Sequence, residues 1–250
     1  MNKADRNFDD LVQKFDKNIY GTTKGRLRHE LLLHGLTQHA LPGNTMRILD
    51  AGGGTGEMTY SLAQLGHEVT LNDLSHDSLV VAKHKCAEFS DVNYECGPIA
   101  SLTNTQQYDL VLCHAVMEWV ADPEQLLVDL IAKVKSGGCV SISFFNLDAQ
   151  LFGNMVYGNF HFVMSGMKKR NQVRLTPHSP VAPTQVLQWI DQLPANIMYK
   201  AGIRCFHDYL REKSLAEQKY SELLALEKQY CTVEPYLWLG KYFHVIFKKQ

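Results

Sequence analysis

The sequence predicts an α/β fold with a doubly wound, mostly parallel sheet. Three observations carry that prediction. From Met46 onward, short apolar runs alternate with segments of helical period. Arg47-Ile48-Leu49-Asp50-Ala51 reads as a buried strand that empties into Gly52-Gly53-Gly54-Thr55-Gly56, a turn only glycines make easily. The next apolar run, Leu71-Asn72-Asp73, ends on an acid just before a capping serine, Ser75.

The elements follow in order. Residues 6–18 read as a short helix with Phe8, Leu11, Val12 and Phe15 on one face. Asn18-Ile19-Tyr20-Gly21-Thr22-Thr23 is a turn ending in capping hydroxyls. A helix over about 24–40 turns Leu27, Leu31, Leu32 and Leu36 inward and puts Lys24 and Arg28 on a shared face. Pro42-Gly43-Asn44 closes this unit, so residues 1–45 form an N-terminal helical cap and 46–250 the main domain. Strands are expected near 46–51, 67–72, 92–96, 108–113 and 138–145. Helices are expected near 56–65, 76–89 and 123–135, with Gly66 and Gly137 as stop signals. A basic, irregular insertion at about 149–183 contains Gly153, Gly158, Gly166, three prolines and the run Lys168-Lys169-Arg170. A helix at about 183–193, a strand near 196–205, a helix over about 208–230 and a last strand over about 240–248 complete the chain.

Composition narrows the class. The 250 residues are 45% apolar and 20% charged, which describes a globular chain and excludes a disordered one. No stretch approaches the length of a membrane span, and the polar N-terminus lacks a signal-peptide core, so a soluble cytoplasmic protein is expected. The six cysteines include no C-x-x-C pair, which argues against zinc and against a disulfide scaffold; most should be buried thiols. The eleven histidines include no H-E-x-x-H, and no metal is expected. The net charge of -1 is unevenly spread: +2 over residues 1–46, -9 over 47–148 and +6 over 149–250. Either this is an accident of surface charge, or the basic end is a rim for a polyanion.

The glycine loop is not a dinucleotide fingerprint. From Gly52 and Gly54 the third small residue of G-x-G-x-x-G falls on Glu57. The spacing is instead D-x-G-x-G-x-G, which resembles the first motif of class I S-adenosylmethionine-dependent methyltransferases. Asp73 suits the ribose hydroxyls of an adenosine; its other reading is a helix cap, a task Ser75 does better. Asp50 should organise the loop and the ligand's amino group. After the third strand, Cys96-Gly97-Pro98-Ile99-Ala100-Ser101 has no acid, so backbone groups and Ile99 would hold the base. The fourth strand ends in Cys113-His114-Ala115-Val116-Met117-Glu118-Trp119, and His114 is a general base, a wall of the sulfonium pocket, or plain structure.

The flanking motifs are more specific. Arg6 to Asp10, Asn18 to Gly25, Leu27-Arg28, His114 to Pro123, Gly158-Asn159-Phe160, Phe206 to Lys213, Tyr230-Cys231, Glu234 to Tyr236 and Leu239-Gly240 together resemble the tRNA 5-carboxymethoxyuridine methyltransferase family over nearly the whole chain. The resemblance implies a Rossmann-like class I methyltransferase sheet with an N-terminal helical lid and C-terminal insertions. It implies methyl transfer from S-adenosylmethionine to the carboxylate of a tRNA wobble uridine, with Arg28, Gly52, Gly53, Asp73, Ile99 and His114 on the cofactor. Gly54, Leu74 and Pro98 join the donor-binding set from their neighbours in the motifs.

A carboxylate nucleophile is ionised at neutral pH, so no catalytic base is required. Charge is annihilated as methyl leaves a sulfonium, which favours a dry site; Tyr20, Trp119 and Phe144-Phe145 are the candidate walls. Arg28, Arg174, Arg204 and His207 are candidates to steer the carboxylate, Arg204 and His207 first. Lys168, Lys169, Arg170, Arg174 and Arg204 are the candidate tRNA contacts, with Tyr199, Phe206, Tyr209, Tyr236 and Trp238 as stacking surfaces or core. The competing readings are a methyltransferase of a small carboxylic acid or quinone, a nicotinamide oxidoreductase (which Glu57 opposes) and a non-catalytic RNA-binding module.

Overall fold

Thr22 starts the first described helix: its hydroxyl accepts the Gly25 N–H at 3.3 Å, and α1 (Thr23–His39) follows. The computed structural model describes residues 21–103, 107–167 and 180–250. The expected 6–18 helix, Tyr20, Lys168, Lys169, Arg170 and Arg174 lie outside the described residues. Leu27, Leu31, Leu32 and Leu36 of α1 are buried, as their period requires.

Strands and helices then alternate as β1 (Arg47–Ala51), α2 (Glu57–Gln64), β2 (Glu68–Asp73), α3 (His76–Lys85), β3 (Val92–Cys96), β4 (Tyr108–His114), α4 (Pro123–Lys133) and β5 (Val134–Phe145). Then come α5 (Leu147–Val156), α6 (Phe160–Met164), α7 (Pro183–Asp191), β6 (Ala195–Ile203), α8 (Leu215–Gln218), α9 (Tyr220–Tyr230) and β7 (Tyr242–Lys249). The sheet order is β3-β2-β1-β4-β5-β7-β6. The first five strands are parallel; β7 is antiparallel to both β5 and β6.

Side chains alternate between two cores. Leu49, Val111, Val140 and Val245 meet Leu127 and Leu130 of α4 and Val186 and Ile190 of α7. Ile48, Leu110, Leu112 and Ile246 belong to the other core, with the leucines of α1 and Leu223 of α9. Helices therefore cover both faces, and the apolar strands follow from that double burial. Chain order reverses between β1 and β4, so a crevice opens at their C-terminal ends. Among the described residues no helix is long and apolar enough to cross a membrane.

Three local expectations are corrected. Gly137 does not stop a helix: α4 ends at Lys133, and Gly137, at φ 75°, lies inside β5 where the pairing with β4 shifts register. The insertion at 149–183 is not irregular throughout, because α5 and α6 occupy its start. Asn146 caps α5, its Oδ1 accepting the Asp148 and Ala149 N–H groups. Its Nδ2 donates to the carbonyls of Trp238 and Gly240, far away in sequence. The expected 208–230 helix is broken into a turn over His207–Tyr209, α8 and α9. Polar contacts hold the break: the Asp208 carbonyl accepts from Lys213 Nζ at 2.7 Å, and its carboxylate is engaged elsewhere.

Candidate active site

The site is built at the C-terminal edge of the parallel strands. Gly52 and Gly53 both donate their N–H groups to the Asn72 carbonyl, at 2.8 and 3.1 Å, so β1's loop folds over the end of β2. A Cβ on Gly52 would lie 2.4 Å from Val116 Cγ2, and one on Gly53 would lie 2.7 Å from Asp50 Oδ2. The loop is therefore glycine for lack of space as well as for its dihedral angles. Asp73 Oδ2 accepts the Gly54 N–H at 2.9 Å and Oδ1 accepts the Ser75 N–H at 2.8 Å. The Ser75 hydroxyl accepts the Ser78 N–H at 3.1 Å, so the cap of α3 is Ser75, as expected. Asn72, which sequence reasoning passed over, donates Nδ2 to the carbonyls of Glu95 and Gly97 at 3.1 and 2.9 Å. It ties the end of β2 to the turn after β3.

A cavity of ≈ 360 Å³ opens above this loop. Its wall contains Arg28, Gly52, Gly53, Gly54, Asp73, Leu74, Pro98, Ile99, His114 and Trp119, all candidates from the sequence and drawn from five separate segments. It also contains Asn72, Ala100, Val116, Gln125 and Asp129, none of which the sequence assigns a site role. A hollow of ≈ 500 Å³ lined by Gln38, Pro42, Lys135 and Lys248 lies at the opposite strand ends, away from the glycine loop.

Asp50 is not in the cavity wall. It is buried behind the loop, where Oδ2 accepts the Thr59 hydroxyl at 2.7 Å. Burial pushes its carboxyl up to about 6; the Thr59 hydrogen bond opposes this and the nearby Asp73 charge adds to it.

β4 ends on His114, and Ala115 turns the chain sharply at φ 58°, with its N–H donated to the Ser143 carbonyl at 2.7 Å. A left-handed non-glycine residue costs roughly 1–2 kcal/mol, and the turn brings Val116 against Gly52 and Trp119 into the wall. His114 Nε2 lies 2.9 Å from Ser141 Oγ. Burial holds its imidazole well below the ordinary pKa, with His244, Arg28 and His29 acting in the same direction, so it is neutral at pH 7. Glu118 is buried too, and burial pushes its carboxyl up to about 7.

Arg204 and His207 do not line the cavity, against expectation. Arg204 donates Nε and Nη2 to Asp208 at 2.7 and 2.9 Å, and His207 Nδ1 lies 3.3 Å from Asp208 Oδ2. An acid four residues on captures the guanidinium. Burial raises the Asp208 carboxyl, but Arg204 and the hydrogen bonds outweigh it and hold it well below the usual range. Tyr242 stands between the two regions, its ring 5.4 Å from the Arg28 guanidinium carbon and 5.6 Å from that of Arg204. Phe144 is buried in the core on Phe243 rather than in a wall of the site, and Phe145 packs on Tyr242.

Residues 49–142 match the methyltransferase domain family. Over 98% of its length the chain is 44% identical to a tRNA 5-carboxymethoxyuridine methyltransferase of Escherichia coli O157:H7, covering 97% of that protein. The chain belongs to the tRNA 5-carboxymethoxyuridine methyltransferase family. The enzyme is also 27% identical, over 71% of its length and 75% of the relative's, to a ubiquinone biosynthesis O-methyltransferase of Coxiella burnetii. Its fold is similar to that of Haemonchus contortus phosphoethanolamine N-methyltransferase 1, with a TM-score of 0.63 at 12% identity over 96% of this chain and 48% of that one. S-adenosylmethionine is the methyl donor of this methyltransferase. The wall fits it: Asp73 offers carboxylate oxygens, the glycine loop brings bare backbone to the cavity, and Ile99 and Leu74 give apolar surface.

Proposed function

We propose that the enzyme methylates the carboxylate of 5-carboxymethoxyuridine at the wobble position of tRNA, giving the methyl ester 5-methoxycarbonylmethoxyuridine. The observation that carries this reading is the full-length similarity to the Escherichia coli O157:H7 protein of that name. Bound S-adenosylmethionine supplies an electrophilic methyl group on a sulfonium. The acceptor is ionised before it arrives, so the chain needs no base, and a neutral His114 is consistent with that. The protein's work is to hold an acceptor oxygen in line and keep water out. Trp119, Val116 and Ile99 supply apolar wall, and Tyr20 is proposed to complete it. Asp73, Leu74, Pro98, Ile99 and the glycine loop hold the adenosine; Arg28 holds a carboxylate.

On the tRNA side, α5 and α6 leave the end of β5, at the edge where the cavity opens. These helices and the turn between them expose Phe152, Tyr157 and Phe160, and Lys213 Nζ sits 5.2 Å over the Tyr157 ring. Unpaired bases stack on such rings while lysines meet phosphates. Lys168, Lys169, Arg170 and Arg174 follow in sequence and carry much of the +6 charge after residue 149. A tRNA substrate supports a cytoplasmic location for the reaction.

The test is to incubate purified protein with labelled donor and tRNA bearing 5-carboxymethoxyuridine, then weigh the wobble nucleoside. Gain of one labelled methyl that alkali removes as an ester supports the reading. Methylation of small carboxylic acids or quinols, with tRNA untouched, replaces it by the small-molecule reading.

A further inference from the structure

His114 sits at one end of a buried chain of three side chains. Its Nε2 is 2.9 Å from Ser141 Oγ, and the same oxygen is 2.8 Å from His244 Nε2. The sheet register explains the meeting: β4, β5 and β7 are neighbours, with His114 and His244 both paired to Ser143, two residues from Ser141 on the same face. Burial pushes His244 down to about 3, so both rings are neutral.

Two contacts need two protons between heavy atoms, and a serine hydroxyl carries one. One imidazole must therefore donate through Nε2 and the other must accept there. The donor ring has a bare Nδ1; the acceptor ring carries its proton on Nδ1. Among the described residues neither Nδ1 has a hydrogen-bond partner. An orphan N–H is the rarer and costlier defect in a dry interior. His244 is fully enclosed, with Gly35 and Tyr199 against its ring, and among the described residues no acceptor lies within hydrogen-bond distance of its Nδ1. Both Nδ1 atoms are buried, but His114 belongs to the wall of the ligand cavity, beside Arg28. The bare nitrogen belongs at the closed end and the N–H at the end where a ligand comes.

We propose that Ser141 and His244 are positioning residues that hold His114 as its Nδ1–H tautomer, so that His114 gives a carboxylate in the cavity a neutral hydrogen bond. His244 Nε2–H donates to Ser141, Ser141 donates to His114 Nε2, and His114 Nδ1–H is left for the ligand. A neutral donor steers an anion without adding a further cation to the sulfonium and Arg28. Two carboxylates qualify, that of the donor's methionyl group and that of the acceptor nucleoside; the latter rests on the proposed function.

The test is nitrogen-15 NMR of histidine side chains in the full-length protein, whose ring nitrogens report tautomer directly. His114→Gln and His244→Gln assign the two rings. The expected result is His114 protonated on Nδ1 and His244 on Nε2. The reverse assignment overturns the proposal without touching the assigned activity. S-adenosylhomocysteine is then added, followed by 5-carboxymethoxyuridine nucleoside. A shift of His114 Nδ1 with the first assigns the methionyl carboxylate; a shift only with the second assigns the acceptor; no shift with either overturns the proposal. Ser141→Ala should mix the His114 tautomers and raise the KM of the ligand concerned by about tenfold with kcat nearly kept. His244→Leu should do the same, while His244→Gln, which keeps an N–H donor, should restore the wild-type tautomer. Equal losses in His244→Leu and His244→Gln, with His114 unaltered, would show a merely structural role.

Discussion

Asp73 clamps Gly54: the carboxylate at the end of β2 accepts the N–H of the third loop glycine at 2.9 Å. The residue read from sequence as a ribose acceptor thus fixes the glycine loop. Asp73→Ala should weaken S-adenosylmethionine binding by about 1.5–3 kcal/mol, the range for hydrogen bonds to a charged group. Titration calorimetry on the folded variant checks this, and an unchanged affinity removes Asp73 from the site.

His114→Asn should keep substantial activity, since the acceptor is ionised and the amide retains an N–H donor. The pH–rate profile of the wild type should show no limb belonging to His114 near neutrality, because burial keeps the ring neutral. A fall of about 10²–10⁴-fold with the donor still bound would mark a general base instead.

Arg204→Ala should cost stability rather than substrate affinity. It leaves the Asp208 carboxylate buried without its bidentate partner, a loss on the order of 3–5 kcal/mol. Denaturant unfolding alongside KM for tRNA separates the two effects. A large rise in KM at unchanged stability would return Arg204 to the substrate side.

Asp50 and Glu118 make stability depend on pH with a definite sign. Both carboxyls are raised by burial, Asp50 to about 6 and Glu118 to about 7. The folded state holds protons the unfolded chain has released, so their contribution is full below about pH 4 and is lost as pH rises through those values. Asp50→Asn should remove its part, up to about 3 kcal/mol, and Glu118→Gln the part nearer pH 7. Unfolding curves of variants and wild type without ligand, compared by difference, isolate this from the opposite trend of His114 and His244. A difference that does not vary between pH 4 and 7 would contradict the raised values.

Neutralising Lys168, Lys169 and Arg170 should weaken tRNA binding and leave donor affinity alone. Each lost phosphate contact should flatten the slope of log affinity against log salt by roughly 0.7–0.9. Titrations at several salt concentrations decide; no change in slope or affinity removes this run from the RNA surface.

What the sequence determined alone is what short-range chemistry dictates. The alternation of short apolar runs with segments of helical period, the glycine turn after Ala51, the acid at Asp73 and the leucines of α1 are local statements, and each lies in its expected element. Gly52, Asp73, Ile99 and His114 converge because they stand at or just beyond the C-terminal ends of β1, β2, β3 and β4 in one parallel sheet, which the fold class already implies, and Arg28 reaches the same cavity from α1. The tertiary structure decided what depends on partners distant in the chain. Asn146 starts a helix because the carbonyls of Trp238 and Gly240 orient its side chain. Arg204 faces Asp208 rather than a substrate because the chain bends after β6, where Glu227 on α9 accepts the N–H groups of Cys205, Phe206 and His207. His114, Ser141 and His244 share protons because three strands from separate parts of the chain lie side by side. A hydrogen bond between residues a hundred positions apart leaves no periodic trace in sequence, since either partner has a local reading of its own; only the folded register brings them together.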